Sequence, residues 1–208
     1  MKRMEPKWLA WAKQLQAIAQ AGLAYSTDVY DLERFECIRR ISVEMLSEQT
    51  GMEMTKIKDL FAGETGYATP KVDIRAVVFK ENKILMVREK TDGRWSLPGG
   101  WADIGYSPRE VAVKEVKEET GYDVKAVKLL AVFDKKFHPH PPSPFHVYKI
   151  LIQCEIVGGE PTEGIETSAV GFFAEDELPP LSVSRITKSQ MEIIFKYLHN
   201  PQEPVHFD

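Results

Sequence analysis

Apolar residues in the first third of the chain recur at three- and four-residue steps. Trp8, Trp11, Leu15, Ile18 and Ala21 follow Pro6 on one helical face, which predicts an amphipathic helix. Ser26-Thr27-Asp28 offers capping oxygens for a second helix, with Leu32, Phe35, Ile38, Ile41 and Met45 as its apolar face and Thr50-Gly51 as its end. A short third helix, carrying Ile57, Leu60 and Phe61, stops at Gly63. Short helices have little interior of their own, so this stretch must pack on something else.

From Val72 the period drops to two. Val72, Ile74, Ala76 and Val78 alternate with Asp73 and Arg75, and Lys80 to Lys83 turns the chain into a second strand from Ile84 to Val87. Thr91-Asp92-Gly93 marks another turn, ahead of Trp95 to Pro98 and the pair Gly99-Gly100. A helix is predicted from Ser107 to Thr120, then strands at 127–133, 145–156 and, more weakly, 169–173. Pro179-Pro180 precedes a last amphipathic helix with Ile186, Met191, Ile194, Phe195 and Leu198. The order implies an α+β fold, a mixed sheet packed between helices, behind a small N-terminal all-α domain. The Gly63 to Lys71 stretch reads as the linker, which divides the chain into 1–65 and 66–208.

Composition narrows the function classes. The chain has 208 residues, and its 31 acidic side chains exceed its 27 basic ones, for a net charge of -4. That balance argues against a dedicated nucleic-acid or anionic-membrane binder. The adjacent pairs Lys2-Arg3, Arg39-Arg40 and Lys135-Lys136 are scattered and form no basic stripe, so an RNA-processing activity is disfavoured. No apolar run approaches the ~18 residues of a membrane span. The N-terminus lacks the apolar core and small-residue cleavage site of a signal peptide. The two cysteines, Cys37 and Cys154, lie in apolar segments and read as small buried hydrophobes of a reducing, cytoplasmic compartment.

The densest chemistry lies between Gly99 and Tyr122. Ser107 is a natural N-cap, Pro108 fits the first helical position, and Glu110 completes a capping box. Glu115, Glu118 and Glu119 then fall at i, i+3 and i+4, within an arc of about 100°. Three like charges on one arc repel unless cations sit among them, and hard oxygen ligands suit Mg²⁺ or Mn²⁺. Taken alone, such a helix is an ordinary solvated face, because Lys114 and Lys117 can pair with its acids. The glycine pair just before it, which lets backbone approach a phosphate closely, shifts the reading toward a site.

The segment from Gly100 to Tyr122 resembles the Nudix box, G-x5-E-x7-R-E-U-x-E-E-x-G-U. Gly100, Glu115, Val116, Glu118, Glu119, Gly121 and Tyr122 match in register, whereas Tyr106 stands at the first Glu and Lys114 at the Arg. The flanks fit as well: Trp95 to Pro98 before the box and Gly171 to Pro179 after it. The resemblance implies a Nudix-type mixed sheet and divalent metals held by Glu115, Glu119 and the Gly100 carbonyl. Glu118 would bind directly or through water. Tyr106 and Lys114 would replace a supporting ion pair, by a phenol hydrogen bond or by stacking the lysine stem on the ring. Helices at 1–63, the stretch from Asp28 to Phe35, the linker Glu64 to Tyr67 and the run from Gly100 to Tyr106 are similar to the subgroup that hydrolyses X-linked nucleoside diphosphates, typified by CDP-choline pyrophosphatases.

The expected activity is therefore metal-dependent hydrolysis of a small-molecule nucleotide at its diphosphate, with CDP-choline favoured and ADP-ribose next. Glu118 or Glu166 would take the proton. Arg75, Trp101, Phe133, Phe137 and Tyr148 are the candidate substrate contacts, although Phe133, Phe137 and Tyr148 are of a kind more often found in ordinary core or loop packing. The proline-rich loop holding His138, His140 and His146 suits a cleft wall better than a zinc site, since the histidines lie on no regular element. The two box departures leave a nucleotide-sensing module without turnover as an alternative. The apolar stripe of Trp8, Trp11, Leu15 and Ile18 exceeds what three short helices can cover, which predicts a homodimer through the N-terminal helices.

Overall fold

The structure, a computed structural model, describes residues 5–208. The Lys2-Arg3 pair and the Leu60 side chain, both used above, lie outside the described part. The chain divides into two compact units, and the break falls at Pro70/Lys71, inside the expected linker.

The helical unit contains α1 (Lys7–Tyr25), α2 (Val29–Thr50) and α3 (Met54–Ile57), which runs on through a wider turn to Ala62, and it takes in Pro142–His146. Asp28 caps α2 by accepting the Tyr30 and Asp31 N–H groups, and Gly51 ends it in the left-handed region at φ 68°. The buried face of α1 is not the expected stripe. Leu9, Ala10, Ala12, Gln16, Ala19 and Gln20 are buried, whereas Trp11 and Ile18 remain 55% and 54% exposed. The reason is close approach. Ser42 Oγ donates to the Ala12 carbonyl at 2.7 Å, and a Cβ on Gly22 would meet the Phe35 ring at 2.4 Å. Two helix backbones this near need small residues between them, so the bulky face turns outward. On α2 the buried side chains are Ser42, Val43 and Leu46, and Ile41 is exposed. Cys37 is exposed too, against expectation, while Cys154 is buried and its thiol is pushed up to about 12 by burial.

The second unit holds β1 (Lys71–Lys80), β2 (Lys83–Glu89), β3 (Trp95–Ser96), α4 (Pro108–Thr120), β4 (Tyr122–Asp134), β5 (Val147–Gly159), β6 (Thr167–Phe173), α5 (Lys188–His199) and β7 (His206–Phe207). The sheet order is β3-β2-β1-β5-β4-β7, with β6 also paired to β2. β1 and β5 run parallel, β4 and β5 antiparallel, so the sheet is mixed as expected. Glu81 and Asn82 close the first hairpin with φ 51° and 61°, the handedness a two-residue turn requires. β4 starts earlier than its alternation suggests because three register shifts interrupt it, and each one swaps the faces of the residues that follow.

Each face of the sheet carries one helix. Ile74, Ala76, Val78 and Leu85 meet Val111, Ala112 and Val116 of α4. Val77, Ile84, Met86 and Leu151 meet Met191, Ile194 and Phe195 of α5. Each Val, Leu, Ile, Met or Phe among them contributes roughly 1.5–3 kcal/mol on burial. The polar members of β1 depart from a simple in-and-out pattern: Asp73 and Arg75 are only 5% and 6% exposed.

Candidate active site

The chain after β3 runs alongside β1. The Ala76 N–H donates to the Pro98 carbonyl, Ile74 N–H to the Gly100 carbonyl, and Ala102 N–H to the Val72 carbonyl, each at 2.8 Å. This places Gly99 at φ 144°, where a Cβ would stand 2.0 Å from the Ile74 oxygen, so no other residue fits. A Cβ on Gly100 would come within 2.9 Å of Glu115 Oε1. The Gly100 carbonyl, expected to face a metal, already accepts one hydrogen bond and keeps a second lone pair.

The glutamate helix starts as its sequence dictates. The Ser107 N–H donates to Glu110 Oε2 at 2.8 Å, the reciprocal bond completes the capping box, and Gly121 ends α4 at φ 78°. Glu119 is 8% exposed and accepts the Gly99 N–H at 3.0 Å. Burial pushes its carboxyl up to about 8, against the pull of that N–H and of Arg75. Burial also raises Glu115, with Lys114 opposing and Glu118 adding to the rise. Glu118 is exposed, 3.6 Å from Lys114. Two half-hidden carboxyls whose ionisation is opposed by burial and by one another are a donor set that a divalent cation would relieve. Among the described residues no three His, Cys, Asp or Glu side chains are gathered as a metal-binding group.

The two departures from the box meet each other. Lys114 Nζ lies 5.8 Å from the Tyr106 ring centre and 3.0 Å from Asp103 Oδ2. Asp103 thus supplies the negative partner that Tyr106 cannot.

A cleft of ≈330 Å³ opens beside Gly99, Gly100 and Glu119. Of the expected substrate contacts, Arg75 and Trp101 line it, as does Glu166. The Glu166 loop is tied down by Lys90, whose N–H donates to the Glu166 carbonyl at 3.0 Å, and by Thr167 Oγ1, which donates to the Glu119 carbonyl at 2.9 Å. Phe133 lies elsewhere: it is fully buried in the core, edge-on to His138 at 4.6 Å. Phe137 lies under Lys136 Nζ, 4.8 Å away, and Tyr148 points to the face opposite its cleft-lining neighbour Lys149. The histidine loop is pinned rather than gathered, His138 Nε2 to Asp208 at 2.9 Å and His140 Nδ1 to the Val183 carbonyl at 2.7 Å. Its contribution to the cleft is Lys135.

Five further charged groups, beyond those read from the sequence, also line the cleft: Asp73, Glu89, Lys135, Lys149 and Arg185. Glu89 accepts from Ser96 Oγ at 2.6 Å and pairs with Arg185 Nε at 2.9 Å. The available signal is a charged residue inside an otherwise apolar strand, as in Val147-Tyr148-Lys149-Ile150-Leu151.

A NUDIX domain model matches residues 69–192, spanning the glycine pair, the glutamate helix and the cleft. This chain belongs to the Nudix family. A second model, described as a UDP-X-like, N-terminal oligomerisation domain, matches residues 6–61. The chain is 51% identical over its whole length, and the whole of the relative, to "Putative ADP-ribose pyrophosphatase YjhB" of Bacillus subtilis (strain 168). Its fold is similar to a solved ADP-ribose pyrophosphatase of Streptococcus suis, 44% identical, with a TM-score of 0.62 over 67% of this chain and 100% of that one. A solved UDP-X diphosphatase, 33% identical, covers 97% of this chain and 98% of its own, with a TM-score of 0.64. The chain is a Nudix enzyme of the pyrophosphatase type, and Nudix hydrolases as a family need a divalent metal. No helix among the described residues is long and apolar enough to cross a membrane.

Proposed function

We propose that this Nudix hydrolase adds water across the diphosphate of a nucleoside diphosphate joined to a sugar, with ADP-ribose as the leading substrate, yielding AMP and ribose 5-phosphate. The observation that carries this reading is the juxtaposition of Glu115 and Glu119, beside the Gly99–Gly100 turn, with a cleft that also presents Arg75, Lys135, Lys149 and Arg185. Cations opposite carboxylates suit a group that brings its own negative charge and shares a metal. The names of the relatives at 51% and 44% identity point to the same substrate. CDP-choline ranks second: the exposed Trp101 face offers its ammonium ~0.5–2 kcal/mol, but the cationic wall opposes it.

Mg²⁺ or Mn²⁺ would be held by Glu115 and Glu119, with Glu118 and the Gly100 carbonyl as further oxygens, and would draw charge from the diphosphate. Arg75 stands beneath Glu119 and Glu115 and limits their repulsion before substrate arrives. Glu166, exposed at the cleft edge on a tied loop, takes the proton from the attacking water, and Glu118 is the alternative base. Trp101 offers a flat apolar face for the nucleobase.

The assembly is a homodimer through α1, whose Trp11, Ile18 and Tyr25 recur every seven residues and are all exposed. Free Cys37 and Cys154 fit a reducing cytoplasm. Product identification after incubation with ADP-ribose, CDP-glucose and CDP-choline, each with Mg²⁺ and with Mn²⁺, tests the activity. The highest kcat/KM is expected for ADP-ribose. A preference for CDP-choline would reverse the ranking, and no monophosphate from any of the three would overturn the reading.

A further inference from the structure

β1 and β5 are parallel neighbours in a register that sets Asp73 against Lys149 and Arg75 against Leu151. Asp73, Arg75 and Val77 share one face of β1, and Lys149 and Leu151 the same face of β5. Val77 and Leu151 belong to the apolar core, whereas Asp73, Arg75 and Lys149 sit where that face opens into the cleft. All three are buried, Lys149 to 2% exposure. Arg75 Nε and Nη2 each reach Asp73 Oδ1 at 3.0 Å, Nη1 donates to the Leu97 carbonyl at 3.0 Å, and Lys149 Nζ is bonded to Asp73 Oδ2.

One carboxylate therefore stands between two buried cations. Hidden charge is strongly unfavourable unless it is paired, and stability alone is served as well or better by an apolar pair. Glu119, Glu89 and Glu115 also act on Arg75, so the arginine has carboxylates to share besides Asp73. Glu89 is engaged by Arg185 and Ser96, and Arg185 itself acts on Lys149 as a like charge. Glu119 spends one oxygen on the Gly99 N–H. Burial draws the Lys149 ammonium down to about 7, and Arg185 adds to that lowering. An anion entering the cleft would give Lys149 a second partner beside Asp73.

We propose that Lys149 is a substrate-binding residue that takes an oxygen of the diphosphate, with Asp73 as the positioning residue that holds Lys149 and Arg75 aimed into the cleft. The inference rests on the diphosphate reading above and deepens it. The guanidiniums of Arg75 and Arg185 at this wall favour a neutral or anionic group beyond the diphosphate and disfavour a quaternary ammonium.

Steady-state kinetics on ADP-ribose separate this role from a structural one. Lys149→Met is expected to raise KM roughly 10–100-fold, the scale of a lost charge-assisted hydrogen bond, with kcat changed much less. Lys149→Arg should recover most of that loss. Because Lys149→Met leaves Asp73 buried with Arg75 as its remaining cation, the double variant Asp73→Asn/Lys149→Met, neutral at both positions, shows whether the altered pair or the lost ammonium moves KM. A structural pair predicts that the double variant regains the wild-type KM, and that result overturns the proposal, as does an unchanged KM in Lys149→Met. A double variant that melts like the wild type yet keeps the raised KM supports it. A wild-type enzyme that releases no AMP would instead remove the diphosphate reading on which the proposal stands.

Discussion

The first helix and the first strand break the same rule in opposite directions. α1 leaves Trp11, Ile18 and Tyr25 in solvent while burying alanines and two glutamines. β1 buries Asp73 and Arg75 in the middle of an apolar run. Neither arrangement is the most stable one available to its element, because burial rewards the first set of side chains and penalises the second. The difference lies in what would complete each. The outward apolar face is completed by another apolar surface, and the inward charged face by a charged ligand. On the proposed reading the helical unit associates through its outer face and the sheet unit binds through its inner one, in line with the models that match residues 6–61 and 69–192.

The strongest way to break this division is at Glu119. Glu119→Gln removes a negative donor and relieves the crowding of carboxyls, so the fold should survive while kcat/KM falls by at least ~10². Near-normal turnover on ADP-ribose with saturating Mg²⁺ would remove Glu119 from the metal set. The same substitution should leave the oligomeric state untouched, because the proposed dimer face lies on α1 in the other unit.

The converse test is at α1. Trp11→Glu together with Ile18→Glu places charge on the exposed face without disturbing the buried alanines. Each large apolar group contributes roughly 1.5–3 kcal/mol when fully covered, so the pair should weaken association by a few orders of magnitude. Light scattering at micromolar concentration is expected to show a dimer for the wild type and a monomer for the variant. A wild-type monomer would mean that the face is covered by something other than a second copy.

What could be read from the sequence follows the same line. The glutamate helix, its capping box and its register in the Nudix pattern were legible because they are local: Ser107, Pro108, Glu110 and Gly121 act within a few residues of one another. The turn at Glu81-Asn82 was legible for the same reason. The buried face of α1 was not, because close helix packing selects small residues over large ones and periodicity does not distinguish the two. The cleft wall was half legible. Arg75 could be named, but Asp73, Lys149 and Arg185 come together only through the parallel β1–β5 pairing and the segment before α5. Phe133, a candidate base contact of a type that more often packs in a core, lies in the core.

A pH series on metal-free protein sharpens the site half of the comparison. The Glu119 carboxyl is raised to about 8 from an ordinary 4.5, so the fold favours its protonated form. That contribution is complete below about pH 4.5 and is lost as pH rises toward 8. Melting temperature in EDTA should therefore drop over this interval, by an amount of order a few kcal/mol in stability, at ~2–4 °C per kcal/mol. Glu119→Gln should flatten the drop, and Mn²⁺ should suppress it because the bound ligands stay deprotonated. A wild-type profile as flat as that of Glu119→Gln would show that the group is not held neutral.

The smallest expected effect concerns the substitute for the box ion pair. Lys114 is shared between Asp103 at 3.0 Å and Glu118 at 3.6 Å, and all three are largely solvated. Such pairs contribute ~0.2–1 kcal/mol, so Asp103→Asn should change activity by no more than about fivefold. The direction is informative. Without Asp103, Lys114 pairs more fully with Glu118 and competes with the metal, so the half-saturating Mn²⁺ concentration should rise while kcat at saturation holds. Removing the lysine as well, in Asp103→Asn/Lys114→Met, takes away the competitor, and the metal requirement should return to that of Lys114→Met alone. Equal shifts from Asp103→Asn with and without Lys114 would show that Asp103 acts through the loop backbone, where its carbonyl accepts the Tyr106 N–H at 3.3 Å, and not through the lysine.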